Sequence, residues 1–344
     1  MASFDCLRGS SHGIRGIVAV ILVSLTCAQA TLALDKMTFR VTTNLSSVVA
    51  FIAESEGYFE DEGLDVEMII WNSGSTYIPS LAHGKIDVST TGQFDVGYIN
   101  VIQRGARIRL VAARTVHAVD SCGYFAFTAR SELIESGRLD DLTALRGLRI
   151  STDRTSGSYY YWSLLLEKAD LTMKDIELVD FPTVAKPDAF AKNLVDITSQ
   201  SEPWNTRIAR TGKGQVWQSV AYVLPDRQST FLVFGRRILD KRPDLGKRFL
   251  AAYMRAVKHY TEEGKSERNI EIIASNTKLD RDELKEMCWP TLDLDGYVDG
   301  RNLQEYQEWA FEEGLIDAVV PRDHLVDDRF LPPPSDTLIT ARAH

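Results

Sequence analysis

The 344-residue sequence is poor in the residues that build metal centres and disulfide frameworks, with 4 cysteines and 6 histidines, none of them clustered. Neither the histidine nor the cysteine spacings match a metal site. No Gly-x-Ser-x-Gly elbow, no phosphate-binding glycine loop and no dinucleotide fingerprint occurs. Positive charge is also short: 39 Lys and Arg face 48 Asp and Glu, a net −9. A general nucleic-acid binder needs a basic face to neutralise phosphates, so that class is excluded. No run of about 20 apolar residues exists to span a bilayer. No catalytic residue set, metal or cofactor is expected. Asp293, Asp295 and Asp299 lack the closing glutamate of a calcium loop and read as a solvated turn. His117 reads as structural.

The N-terminus carries a short apolar run, Ile17–Leu25, behind Arg8 and Arg15 and ahead of Ala28-Gln29-Ala30 and Ala33. A positive flank, a short apolar core and small residues before a cleavage point form a secretory signal peptide. Cleavage after Ala30 or Ala33 leaves Cys122 and Cys288, which read as two buried thiols or as one long-range disulfide.

From Met37 onward strand and helix patterns alternate. Met37–Thr42 reads as a strand. Ser46 or Ser47 can cap a helix that Gly57 stops. Leu64–Ile70 alternates as a strand, and Ile86–Thr91 and the stretch around Ile108–Ala112 follow, with the helix Phe94–Arg104 between them. A second unit repeats the plan with strands at Leu148–Thr152, Ile176–Phe181 and Asp196–Ser199. Alternation of this kind predicts parallel sheets with crossover helices. Beyond Arg236 the chain reads as mainly helical.

Short polar loops follow the predicted strand ends, where a parallel sheet binds ligands. The first lobe offers Asn44-Leu45-Ser46, Ser73-Gly74-Ser75-Thr76 and Thr91-Gly92-Gln93, with Trp71 beside them. The second offers Arg154-Thr155-Ser156, Ser158 and Glu202-Pro203-Trp204. Each leads into a helix N-terminus, which presents free N–H groups and partial positive charge. Tyr159 and Trp204 stand in first helical turns and are the aromatics expected to face a ligand. Arg154 could clamp an acid group, and Glu202 could accept from a ligand N–H.

These segments resemble a known family. Phe51-Ile52-Ala53-Glu54-Ser55-Glu56-Gly57-Tyr58-Phe59-Glu60-Asp61-Glu62-Gly63-Leu64-Asp65-Val66 is similar to a stretch found in solute-binding proteins of ABC importers. The branch is the one for nitrate, sulfonates, taurine and thiamine pyrimidine precursors. Gly84-Lys85-Ile86-Asp87-Val88, Leu145-Arg146-Gly147-Leu148-Arg149-Ile150, Val195-Asp196 and Glu202-Pro203-Trp204 follow in the family's order.

The resemblance implies an α/β, two-lobed type II periplasmic-binding-protein fold, with two mostly parallel sheets and a hinge of two crossing strands near 118–128 and 222–232. It implies a signal peptide at 1–33, a first lobe from 34–122 and 228–330, a second lobe from 123–227 and a tail at 331–344. The loops above would line the cleft. The expected function is capture of a small polar organic solute, a sulfonate, carboxylate or amino-containing anion, by a periplasmic monomer that delivers it to an inner-membrane ABC permease. A thiamine pyrimidine precursor or similar nitrogen heterocycle is the alternative ligand. A pyrimidine-synthase-like enzyme or a ligand-sensing receptor partner would be the alternatives of another class.

Overall fold

The computed structural model describes residues 33–331 except Ser73, residues 92–94 and Thr155, and not the side chains of Gly74 and Ser75. The predicted signal peptide up to residue 32 and the tail after Leu331 lie outside the described residues. Ten strands form two five-stranded sheets there. The first holds β1 (Asp35–Val41), β2 (Leu64–Ile70), β3 (Val88–Thr90), β4 (Arg109–Val116) and, from far along the chain, β10 (Gln228–Phe234). The second holds β5 (Phe125–Arg130), β6 (Arg149–Ser151), β7 (Glu177–Val179), β8 (Ile197–Ser201) and β9 (Gly214–Ser219).

Strand order is β2-β1-β3-β10-β4 in the first sheet and β7-β6-β8-β5-β9 in the second. In each sheet one strand runs against the others: β10 is antiparallel to β3 and β4, and β5 to β8 and β9. Those two strands are the ones that follow each crossing between sheets, so the mixed sheets come from the chain's two returns. Helices flank both sheets, as the alternating pattern requires.

The strand β1 alternates: its odd positions from Met37 on are apolar and buried, while Lys36 is exposed and Thr38 half-buried on the other face. In β1, Met37, Phe39 and Val41 are all buried. The long helix Pro243–Glu263 covers them, with Leu245, Phe249, Tyr253 and Val257 on one stripe. Phe249 meets Phe39 edge-on at 5.0 Å and stacks on Phe59 at 5.1 Å. Pro243 stands in its first turn, where the missing N–H is no loss.

The motif acids hold the sheets at the edge away from the polar loops. Asp87 accepts from Thr38 N at 3.0 Å and from Arg237 Nη1 at 2.5 Å, joining β1, β3 and the end of β10. Asp196 does the same in the second lobe through Arg149 N at 2.8 Å and Nη2 at 2.7 Å.

The crossings lie between β4 and β5 and between β9 and β10. His117 N donates to Arg227 O at 2.9 Å and Asp226 N to His117 O at 2.8 Å, so the two crossings hold each other. The His117 ring is buried against Tyr161 Oη at 3.1 Å, and burial pushes its imidazole down to about 3. It is neutral at any working pH and acts as a hinge packing group. Cys122 and Cys288 form a disulfide with Cα atoms 5.6 Å apart. Cys122 is exposed rather than a buried thiol.

Two expectations are corrected. Asn44, not Ser46 or Ser47, caps the turn before the helix Val48–Ser55: its side chain accepts from Ser46 N at 2.9 Å, while Ser47 makes no side-chain cap bond. Asp293 is buried rather than solvated, and takes Gln228 Nε2 at 2.6 Å and Gly296 N at 2.8 Å.

Candidate ligand cleft

A cleft of about 670 Å³ runs between the two lobes. Its floor is the carboxyl edge of both sheets, the place where open α/β sheets leave a crevice. From the first lobe come Asn44 and Ser46 after β1, Asn72 after β2, Thr90 at the end of β3, and Thr91 and Asp95 after it. From the second come Asp153, Ser156 and Ser158 after β6, Val184 and Lys186 after β7, and Ser199, Gln200 and Trp204 at β8 and its following helix.

Positive charge is buried in this wall. Arg40 projects from the carboxyl end of β1, only 5% exposed. Its Nη1 donates to Thr90 O at 3.1 Å, its Nη2 to Trp71 O at 2.6 Å, and its guanidinium lies over the Tyr77 ring at 4.1 Å. Its Nε is buried with no hydrogen-bond partner. Arg114 stands behind the first-strand loop, bonded to Tyr253 Oη at 3.0 Å and to Ser46 O, with its Nη1 unpartnered. Lys186 opens the helix Lys186–Ala191 and is likewise 5% exposed. Among the described residues its Nζ reaches only Ser151 O, at 3.5 Å. Burial pushes its ammonium down to about 8, against the pull of Asp153 and Asp180. Burial also lowers the Arg40 guanidinium from its ordinary value. None of these three cations has a carboxylate among its hydrogen-bond partners in the described residues.

The rest of the wall is rich in hydroxyls. Thr115 Oγ1 lies 2.7 Å from Thr230 Oγ1, and Thr91 Oγ1 accepts from Phe231 N at 2.8 Å. Trp204 supplies an aromatic face, with the Arg207 guanidinium 5.0 Å from its ring.

The lobes touch on both sides of the cleft. On one side Asp95 and Ser156 form an antiparallel backbone bridge, and Tyr160 packs on Trp309 at 4.9 Å and Tyr306 at 5.4 Å. On the other, Arg207 reaches Glu283 at 3.4 Å and Arg210 reaches Glu286 at 2.9 Å. Glu283 is buried while Arg207 is part-exposed, so this latch is a modest clamp. Glu283→Gln is expected to speed ligand dissociation two- to fivefold, the worth of about 0.5–1 kcal/mol. Stopped-flow release rates check it; an unchanged rate removes the latch role.

The structure brings Asn44, Ser46, Thr91, Ser156, Ser158 and Trp204 together on the wall. It places other sequence candidates elsewhere. Leu45 is fully buried in the first lobe's core. Trp71 turns its Nε1 to Thr76 Oγ1 at 2.9 Å, and neither side chain lines the cleft. Tyr159 is buried, its ring 5.9 Å from that of Trp309 and 5.7 Å from the Arg154 guanidinium. The helix Gly157–Glu167 aims that position at the helix Gly300–Glu312, and only its first residues meet the cleft. Glu202 folds back over its own helix. Its oxygens accept from Thr206 N at 3.1 Å, Thr206 Oγ1 at 2.9 Å and Cys288 N at 3.3 Å. Burial raises its carboxyl pKa, against those hydrogen bonds. Ser73, Gly92, Gln93 and Thr155 lie outside the described residues, as do the Gly74 and Ser75 side chains. Sequence reasoning missed Arg40 and Lys186. The signal available for Arg40 was a charged residue near the carboxyl end of a predicted strand; Lys186, at a helix start, carried no such signal.

A family model described as NMT1/THI5 like matches residues 44–265. No curated protein matches in sequence. Solved structures share the fold at low identity. The ligand-binding component of an ABC-type import system from Staphylococcus aureus, solved with zinc bound, is 16% identical at a TM-score of 0.70, covering 86% of this chain and 97% of that one. The periplasmic aliphatic sulphonate binding protein SsuA from Escherichia coli is 17% identical at 0.69, covering 85% and 97%. The desulfurization enzyme DSZB is 17% identical at 0.59, covering 90% and 100%.

Proposed function

The chain belongs to the NMT1/THI5-like family, and we propose that it is an exported solute-binding protein that captures a small organic anion between its lobes for an ABC importer. The observation that carries this reading is the pair of buried cations, Arg40 and Lys186, on the cleft wall, neither hydrogen-bonded to a carboxylate among the described residues. A buried charge bonded only to neutral oxygens is costly. An anionic ligand supplies the missing charge, and hydroxyls around it supply donors. Cleft closure by two lobes couples that binding to shape, since the ligand favours the state in which both lobes touch it. The similar S. aureus and E. coli proteins, a ligand-binding component of an ABC-type import system and a sulphonate binder, are consistent with it.

A thermal-shift screen of sulfonates, carboxylates, amines and pyrimidines tests the reading. An anionic hit should stabilise the protein by about 2.7 kcal/mol at a hundredfold excess over Kd. Mass spectrometry should recover it unchanged. A hit converted to product would favour an enzyme of the same fold instead, and hits confined to amines or neutral pyrimidines would remove the anion assignment.

Export is part of the proposal. Intact mass of the protein released from the periplasm should place the mature N-terminus at Thr31 or Leu34. A mass that keeps the first 30 residues would overturn it.

A further inference from the structure

Arg40 and Lys186 are held on opposite sides of the cleft, each by its own lobe. Arg40 stands on β1 and is bonded by the carbonyls of Thr90 and Trp71. Lys186 opens a second-lobe helix and reaches the carbonyl of Ser151 at the end of β6. The charges that act on the Lys186 ammonium are Asp153 and Asp180, both of the second lobe. The groups that act on Arg40 are Tyr77, Tyr98, Arg114 and Asp95, all of the first. The two cations enter one cleft from different lobes, each bonded only to carbonyls of its own lobe among the described residues.

The cavity between them, about 670 Å³, lies within the range that holds drug-sized ligands. Consider one carboxylate or one small inorganic anion held at one of the two cations. The other cation would then be closed inside the liganded cleft with neutral oxygens alone, the arrangement that is most costly for a buried charge. The acids of the wall do not remove this imbalance. Asp95 is committed as a helix cap, its Oδ1 accepting from Gly97 N at 2.7 Å. Asp153 is exposed, and its field leaves Lys186 still dominated by burial.

We propose that the ligand carries two separated anionic groups, one bound at Arg40 and one at Lys186, with its body against Trp204 and Val184. The class is a dianionic organic acid, a dicarboxylate or a sulfocarboxylate. This rests on the reading of the cleft as an organic-anion site.

Titration calorimetry at pH 7 tests it with matched pairs. Linear dicarboxylates of increasing length, phthalate isomers and sulfobenzoates are each compared with the mono-amide or monoacid of the same skeleton. The expected result is an optimum spacing at which the dianion binds about 30-fold tighter than its monoanion, the loss of one buried charge partner. Lys186→Met should reduce that preference to within about threefold, and so should Arg40→Met, with apo melting curves confirming that each variant folds. Monoanions binding within threefold of their dianions across the series would overturn the proposal and leave the anion site standing. A matched zwitterionic aminocarboxylate binding tightest would overturn it in favour of a wall aspartate as the second partner. Binding by neither anion class would overturn the anion reading as well.

Discussion

Lys186→Met is expected to make the unliganded protein more stable and its anion complex weaker by roughly 30-fold or more. The two effects have one cause. The Lys186 ammonium is buried with a single carbonyl at 3.5 Å, and burial lowers it to about 8 from an ordinary 10.5. That gap corresponds to about 3 kcal/mol of cost to the folded state when the group is charged. Because the folded value is the lower one, the cost is fully present below pH 8 and is relieved as pH rises from about 8 to 10.5. Methionine fills similar space without the charge, so apo stability at pH 7 should rise by about 1–3 kcal/mol. A lysine that served only the fold would behave oppositely, losing stability and keeping affinity. The wild-type protein should also bind its anion with constant affinity below pH 8. Above it, affinity should fall about tenfold per pH unit until the bound complex itself loses the proton. Apo melting and calorimetry from pH 6 to 10, for both proteins, separate the outcomes. Unchanged affinity in Lys186→Met removes this residue from the site.

The contrast between Lys186 and Glu202 shows what sequence carries about this fold. The strand around Leu64–Ile70 and the helix stripe from Leu245 to Tyr260 are legible because periodicity reports which face is buried. The polar loops after strands are legible because chain direction puts them on one edge, and Asn44, Ser46, Thr91, Ser156 and Ser158 do meet there. Side-chain direction inside a loop or first turn is not legible in that way. Glu202 and Tyr159 each have two faces available, and distant segments decide which is used: Cys288 N for the glutamate and Trp309 for the tyrosine. Arg40 and Lys186 were hidden for the reverse reason. Arg40 sits near the end of a strand, and Lys186 opens a helix just before Pro187. Only tertiary burial turns an ordinary arginine or lysine into an uncompensated charge. The motifs that carry the family likeness are fold staples in part: Asp87 and Asp196 tie strands together far from the cleft.

Opening the Cys122–Cys288 disulfide is expected to lower stability by about 5 kcal/mol, since it closes 166 residues of sequence separation in the unfolded chain. For a chain of this size that is a fall of roughly 8 °C in Tm. The bond joins the first crossing between sheets to the segment after the helix Arg281–Glu286. That segment is also where Cys288 N meets Glu202 of the second lobe, at 3.3 Å. The disulfide therefore secures the hinge side of the molecule, and neither cysteine lines the cleft. Ligand affinity should accordingly stay within about threefold when the bond is opened. Cys122 is exposed, so reductant reaches the bond without prior unfolding. A reduced sample and the double variant Cys122→Ser/Cys288→Ser should melt together, below the oxidised protein. Equal melting of reduced and oxidised protein would show that the unfolded chain is not constrained by this link. A bond of this kind persists in an oxidising compartment, which ties it to export. The mature protein recovered after export should show no free thiol, and the same mature sequence expressed in a reducing cytosol should show Cys122 and Cys288 both free.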